Sequence, residues 1–268
     1  MAFPIDHDLH IHTYLSDCSS DPLQTVDALI VYAKENGLRD ICVTDHFWDE
    51  RVPGASPWYQ KQNFAHVCRN LPLPQAEGVR VHFGCETELD KHMTLGISPE
   101  RMDAFEFIII PTTHMHMEGF VLDESDLSLP RRAVKWADRL RGVLEMPLPF
   151  HKIGIAHLNC YLIAYGSGME DSLKVLDMIP DREYEDLFRR AAAVGVGIEL
   201  NMEPELYTPA QFERSMRPFR IARDCGCKFY LGSDAHHPAA LEAAHRRFLT
   251  MTEALQLTEA DVFRPFGN

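Results

Sequence analysis

At 268 residues the chain suits one large α/β domain, and a barrel of about 250 residues fits comfortably. Its apolar content is ordinary for a globular protein, and no stretch approaches the roughly 20 apolar residues needed to span a bilayer. A formal net charge of -14 repels polyanions on average and counts against a protein that coats nucleic acid. The chain opens on a short apolar run holding His10 and His12. Ser20-Asp21-Pro22 then reads as a helix start, with a capping side chain followed by proline. Val26, Leu29, Ile30 and Ala33 follow at helical spacing, and Gly37 stops the helix. Strands are expected over residues 40–44, 79–84 and 105–110. A helix over 129–144 precedes a strand over 152–156. A helix over 183–194 precedes a strand over 196–200. Residues 209–225 read as a helix interrupted at Pro218, since proline lacks the donor that a helix interior needs. A strand over 228–231 leads to a last helix opened by Pro238 and carrying Leu241, Ala244 and Phe248.

Seven strands joined mostly by helices imply a parallel sheet with right-handed crossovers. Residues 1–268 read as one domain, with neither an internal repeat nor a flexible linker. The longest irregular stretches, 47–57 and 115–127, follow strands ending in histidine and are candidate active-site loops. The N-terminus lacks the basic and apolar regions of a secretory signal, so the cytoplasm is the expected compartment. Seven scattered cysteines fit reduced structural thiols, with Cys42 and Cys85 in strand-like runs and Cys225-Gly-Cys227 at the wrong spacing for a zinc knuckle.

The polar residues at strand ends carry the chemistry. His10 and His12 are two apart, so in a strand they face the same side. The next strand runs into Thr44-Asp45-His46, and the others end at Glu86, at His114, at His157, at Glu199 and Asn201, and at Asp234-Ala-His236. In a parallel barrel these ends form one rim, where active sites sit. Imidazoles with carboxylates suit zinc, iron or manganese. His10, His12, Asp17, His46, Glu86, His114, His157, Asp234 and His236 are too many ligands for one ion, so two or three divalent ions sharing carboxylates are expected.

Asp45 and Asp8 could bind an ion, but are better read as orienting ligand imidazoles. His116 falls in a loop-like run, so His114 alone is the expected ligand there. His237 is expected to be exposed. His7, His66, His92, His151 and His245 match no strand end and read as surface or core histidines. Glu199 and Asn201 either brace the rim or touch substrate. Arg51, Lys91, Lys152 and Arg182 lie near rim loops and could meet a phosphate, although solvated surface charge is the preferred reading of each.

Asp8-Leu-His-Ile-His-Thr13 with Ser16-Asp17, Val43-Thr-Asp-His46, Gly84-Cys-Glu86, His114, Ala156-His157 and Gly232-Ser-Asp-Ala-His236 run in the order of a known family. In these motifs the chain resembles the PHP (polymerase and histidinol phosphatase) family of metal-dependent phosphoesterases. The resemblance implies a distorted, TIM-like (β/α)7 barrel with a di- or trinuclear centre on the nine residues named above. It implies hydrolysis of a small phosphate ester by hydroxide held between ions, with a small phosphorylated metabolite as partner and nucleic acid disfavoured. Asp234 or His236 could shuttle a proton, with His157 or His12 helping the leaving group. An amidohydrolase acting on a C–N or lactone bond is the alternative enzyme, although no strand-four lysine that could be carboxylated precedes His114. A non-catalytic module is the third reading, opposed by the complete ligand set.

Overall fold

The computed structural model describes residues 1–267. In chain order these form β1 (His7–Ile11), α1 (Val26–Glu35), β2 (Asp40–Val43), β3 (His46–Phe47), α2 (Phe64–Val67), β4 (Arg80–Thr87), α3 (Pro99–Met102), β5 (Phe107–Pro111), α4 (Leu129–Glu145), β6 (Ile153–Ala156), α5 (Met169–Met178), α6 (Asp181–Val194), β7 (Gly197–Leu200), α7 (Pro209–Ser215), α8 (Arg217–Asp224), β8 (Lys228–Leu231), α9 (Pro238–Leu241) and α10 (Ala244–Ala254). The strands pair in parallel in the order β1-β2-β4-β5-β6-β7-β8, with β3 on β4. β2 and β3 are halves of one strand interrupted at Thr44 and Asp45. The ring nearly closes between its ends, where the His12 N–H donates to the Ala235 carbonyl at 3.1 Å and the Asp234 N–H to the His10 carbonyl at 2.7 Å. The expected distorted seven-stranded barrel is therefore what the chain forms.

Every residue of β1, β2, β5, β6 and β7 is buried, as parallel strands covered on both faces require. The main core lies between sheet and helices. There Ile108 and Ile110 of β5 join the stripe of α4, which repeats at helical spacing as Ala133, Trp136, Ala137, Leu140 and Val143. A second cluster of Leu9, Cys42, Phe107, Ile109, Ala156, Tyr230 and Phe263 fills the barrel interior. Close approach demands glycine here: a Cβ on Gly154 would lie 2.6 Å from both Phe107 and Tyr230. Phe263 and Phe266 bring the C-terminal segment under the barrel. The Phe263 N–H donates to the Phe229 carbonyl at 2.7 Å, and the Phe266 ring stacks on His82 at 3.5 Å. Below lies packing; the other end of the barrel is left for chemistry.

Several helices depart from expectation. α1 begins at Val26, capped by the Thr25 side chain, rather than at Pro22. Asp21 instead closes a turn, accepting from the Leu23 and Gln24 N–H groups, and the Gln24 side chain donates to the carbonyls of His12 and Ala235 across the barrel seam. That segment is spent on closing the ring. α5 and the single-turn helices α2 and α3 lie in segments where no helix is expected from the sequence. The last helix is two, α9 and α10, divided at residues 242–243 without a glycine or proline to mark the break. The interruption expected near Pro218 is present, with α7 ending at Ser215 and Pro218 in the first turn of α8.

Candidate metal centre

The barrel delivers its polar residues to the C-terminal ends of the strands. Glu86 near the end of β4 sits at the centre. Its Oε2 lies 2.9 Å from His46 Nδ1, 3.4 Å from His12 Nε2 and 3.6 Å from His10 Nε2. Its Oε1 lies 3.2 Å from His157 Nε2 and 3.8 Å from His114 Nε2. Asp234 approaches from the β8 side, 3.1 Å from His12 Nε2 and 3.4 Å from His10 Nε2. Its side chain is 27% exposed against 1% for Glu86, so it is the carboxylate that faces the opening. The ligand atoms fall into four overlapping groups, each within 4.8 Å: His12, His46 and His236; His10, His12 and Asp234; His10, His157 and Glu199; Glu86, His114 and His157.

Backbone geometry is bent to this purpose. His157 and Asp234 both have positive φ, 63° and 53°, in the left-handed region that Asp and His tolerate better than most residues. Gly232 is the adjoining close approach, since a Cβ there would run into the Glu199 carboxylate and lie 2.7 Å from the His10 Cβ.

The tautomers follow from what each ring's other nitrogen does. His10 Nδ1 donates to Glu199 at 2.6 Å. His12 Nδ1 donates at 2.8 Å to Ser16 Oγ, whose own proton goes to Asp45 at 2.7 Å. His114 Nδ1 donates to Glu88 at 2.8 Å, and His236 Nδ1 to the Asp234 carbonyl at 2.7 Å. In their neutral forms the Nε2 atoms then carry lone pairs. Those of His10 and His12 face each other across 3.1 Å. His46 Nδ1 and Glu86 Oε2, both buried, also lack a well-directed hydrogen-bond partner despite their closeness. Lone pairs and carboxylates crowded this way repel unless a cation lies among them. The donor set fits divalent metal ions, and each oriented imidazole has the supporting acceptor that metal-bound histidine usually has.

Protonation responds to the same crowding, which draws a cation, either a proton or a metal ion, to the Nε2 atoms of His10 and His12. Burial opposes the charged form of His10, but Glu199, Asp234 and Glu86 outweigh it and hold its pKa well above the ordinary value. His12 rises likewise to about 9, against burial, through Asp234 and Glu86. Burial also opposes charge on Glu86 and Asp234, yet the surrounding imidazoles keep both well below the carboxylate range. Burial, with His12 beside it, pushes His236 down to about 4.

Asp17 is the expected ligand that the structure does not bring in. The chain turns at Ser16, whose hydroxyl is committed to His12 and Asp45, and the next side chain is left outside. Asp17 is exposed, 3.7 Å from Lys61, and belongs to none of the four groups. His10, His12, His46, Glu86, His114, His157, Asp234 and His236 are gathered. Asp45 acts on His12 through Ser16, and also accepts from the Thr13 N–H and Asn70. Asp8 touches no imidazole; it accepts from the Ser233 N–H and Tyr32, and burial raises its pKa to about 6. Glu199 braces His10 and also accepts from the His157 N–H at 3.1 Å.

Sequence reasoning missed Glu88 and Arg139. Glu88 orients His114 and is itself held by Arg139 at 3.1 Å, both fully buried. Its position two residues beyond Glu86 was the available signal. A cavity of about 600 Å³ opens over the cluster. Arg51, Lys91, Lys152 and Arg182 do not line it; Lys152 instead donates to the Met102 and Phe105 carbonyls. His116 and His237 do line it, and among the described lining residues Arg247 is the one Arg or Lys.

No curated protein sequence matches the chain. Among solved structures, the chain is similar to a histidinol phosphate phosphatase from Lactococcus lactis subsp. lactis, described in complex with zinc, L-histidinol and phosphate. The TM-score is 0.61 at 16% identity, with 98% of each chain covered. A probable 2-pyrone-4,6-dicarboxylic acid hydrolase from Acinetobacter baumannii aligns at a TM-score of 0.45 and 13% identity, over 97% of this chain and 96% of that one, which is too low to bear on function. The profile of the PHP domain matches residues 8–252, nearly the whole barrel and every residue of the centre. The chain belongs to the PHP domain family.

Proposed function

We propose that this protein is a metal-dependent phosphoesterase acting on a small phosphorylated metabolite. The observation that carries the metal requirement is the pair of facing Nε2 atoms of His10 and His12, 3.1 Å apart with both Nδ1 atoms already donating. His10, His12 and Asp234 would hold one ion, His46 and His236 a second, and His114 and His157 a third. The Glu86 carboxylate, whose two oxygens face His10, His12 and His46 on one side and His114 and His157 on the other, is the ligand they could share. Bound divalent ions, whether zinc, manganese or iron, supply the Lewis acidity that makes water nucleophilic near neutral pH and offsets charge on phosphoryl oxygens. Family membership supports the hydrolase reading, and the Lactococcus phosphatase of the same fold supports the ester.

The chain's own residues orient and move protons. Glu199, Ser16 and Glu88 hold the rings of His10, His12 and His114 with their Nε2 atoms inward. Asp234, the more accessible carboxylate, would take the proton released by the attacking water. His236, whose Nδ1–H is fixed on a carbonyl, would offer Nε2 to an ion, which leaves proton transfer to Asp234. The free cysteines support a reducing, cytoplasmic setting, and no described helix is long and apolar enough to cross a membrane.

Metal-loaded protein is expected to hydrolyse an aryl phosphate, and replacing His12 and Asp234 together by alanine is expected to abolish that turnover. Retained turnover in the double variant would overturn the proposal. Turnover of amides or lactones in place of phosphate esters would shift the reading to C–N or lactone hydrolysis.

A further inference from the structure

We propose that the ester processed here carries an uncharged alcohol with a flat apolar portion, such as an aromatic ring, rather than a sugar or a second phosphate. This rests on the phosphoesterase reading and concerns the part of the cavity that the ligand cluster leaves over. A volume of about 600 Å³ is of the order that encloses a drug-sized ligand, well beyond a lone phosphate.

The outer wall is apolar and open. Tyr161, Tyr165 and Leu206 line it and remain 53%, 58% and 59% exposed. The two tyrosine rings lie 6.0 Å apart, Tyr165 lies 5.9 Å from His116, and Trp58 stands edge-on to His46 at 4.9 Å. An aromatic surface thus runs from the cluster to the mouth. Large apolar side chains grouped on one exposed wall mark a surface that a partner covers, and continuity with the ligand cluster makes that partner the substrate. Rings at such spacings favour a flat group stacked or set edge-on between them.

Charge counts against a second phosphate. Arg247 reaches the cavity already bound to Glu203 at 2.6 Å and Glu205 at 2.7 Å, so its charge is offset. With Glu203 itself among the lining residues, the outer cavity offers no surplus positive charge to a second phosphate. Its neutral polar groups include the Ser233, Tyr161, Tyr165 and Tyr207 hydroxyls and two asparagine amides. Asn159 and Asn201 line it, and each keeps one buried amide atom without a hydrogen-bond partner. These suit one or two neutral hydrogen-bonding groups on an otherwise apolar alcohol.

The test holds leaving-group acidity nearly constant. Ethyl, 2-phenylethyl and 2-naphthylethyl phosphates are compared with glycerol phosphate and a sugar bisphosphate, using metal-loaded protein. The expected result is a kcat/KM at least about tenfold higher for 2-phenylethyl than for ethyl phosphate, from burial of the ring, with the bisphosphate poorest. Tyr165→Ala is expected to lower the phenylethyl-to-ethyl ratio several-fold, while Val134→Ala on the outer face of α4 keeps it. A flat or inverted series, a preferred bisphosphate, or an unchanged ratio in Tyr165→Ala overturns this inference and leaves the phosphoesterase reading standing. Absence of turnover with every ester overturns both.

Discussion

Replacing Glu88 by glutamine should damage both stability and metal binding, and the two effects have separable causes. The carboxylate is fully buried, accepts from His114 Nδ1 at 2.8 Å and receives Arg139 at 3.1 Å. Removing one partner of a buried ion pair costs about 3–5 kcal/mol, because the remaining charge is left uncompensated. Arg139 also donates to the carbonyls of Thr112 and Asp90, and the glutamine oxygen still accepts one bond, so the lower end, about 3 kcal/mol, is expected. For a chain of this size that corresponds to a fall in Tm of roughly 6–12 °C. Separately, the amide presents a donor where His114 needs an acceptor. The ring loses its fixed orientation, and metal affinity should fall about 10–100-fold. Urea unfolding of the metal-free chain reads the first effect, and competitive titration with a chromogenic chelator reads the second. An unfolding free energy within about 0.5 kcal/mol of the parent would refute the account of the Glu88–Arg139 pair. Unchanged metal affinity would refute the role assigned to Glu88 on His114.

Other expectations follow from the same geometry. Ser16→Ala removes the acceptor between His12 and Asp45 and should weaken metal binding by about tenfold or more in the same titration. Asp17→Ala should leave metal stoichiometry and affinity unchanged, since that carboxylate lies outside the cluster; loss of an ion would return Asp17 to the ligand set. At the opposite end of the barrel, His82 sits between Asp40 at 2.7 Å and Glu106 at 2.9 Å. Burial opposes its charge, but the two carboxylates raise its pKa above 6.5; Asp40 and Glu106 move below 3.8 and 4.5. The raised histidine contributes stability that is complete below pH 6.5 and lost as pH rises through its folded value. The depressed carboxylates contribute above their ordinary values and lose it as pH falls. The stability difference between the parent and His82→Gln should therefore be largest near pH 5–6 and shrink toward pH 9 in urea unfolding series; a difference independent of pH would contradict this.

The strand ends were legible because their signal is local. His10 and His12 are two apart on one strand, and each later ligand follows an apolar run that only a buried strand explains. The barrel follows from the same alternation. What the sequence concealed depends on pairings between distant segments. Glu88 and Arg139 are 51 residues apart, and nothing in α4's helical pattern distinguishes a buried arginine from a solvated one. The delayed start of α1 has the same origin. Asp21-Pro22 carries a sound capping signal, but the neighbouring Gln24 is needed across the seam by the His12 and Ala235 carbonyls. Asp17 shows the converse failure. A motif placed it beside the centre, whereas the turn at Ser16 points it to solvent. The cavity wall of Tyr161, Tyr165 and Leu206 comes from loops after β6 and β7, whose relation appears only once the strands are neighbours.

Metal content tests the central claim most directly. Purified protein, equilibrated with zinc or manganese and desalted, should retain two or three ions per chain by elemental analysis, and substitution of both His10 and His12 by alanine should reduce that number by at least one. Retention of fewer than one ion per chain, or a content unchanged in the double variant, would contradict the account.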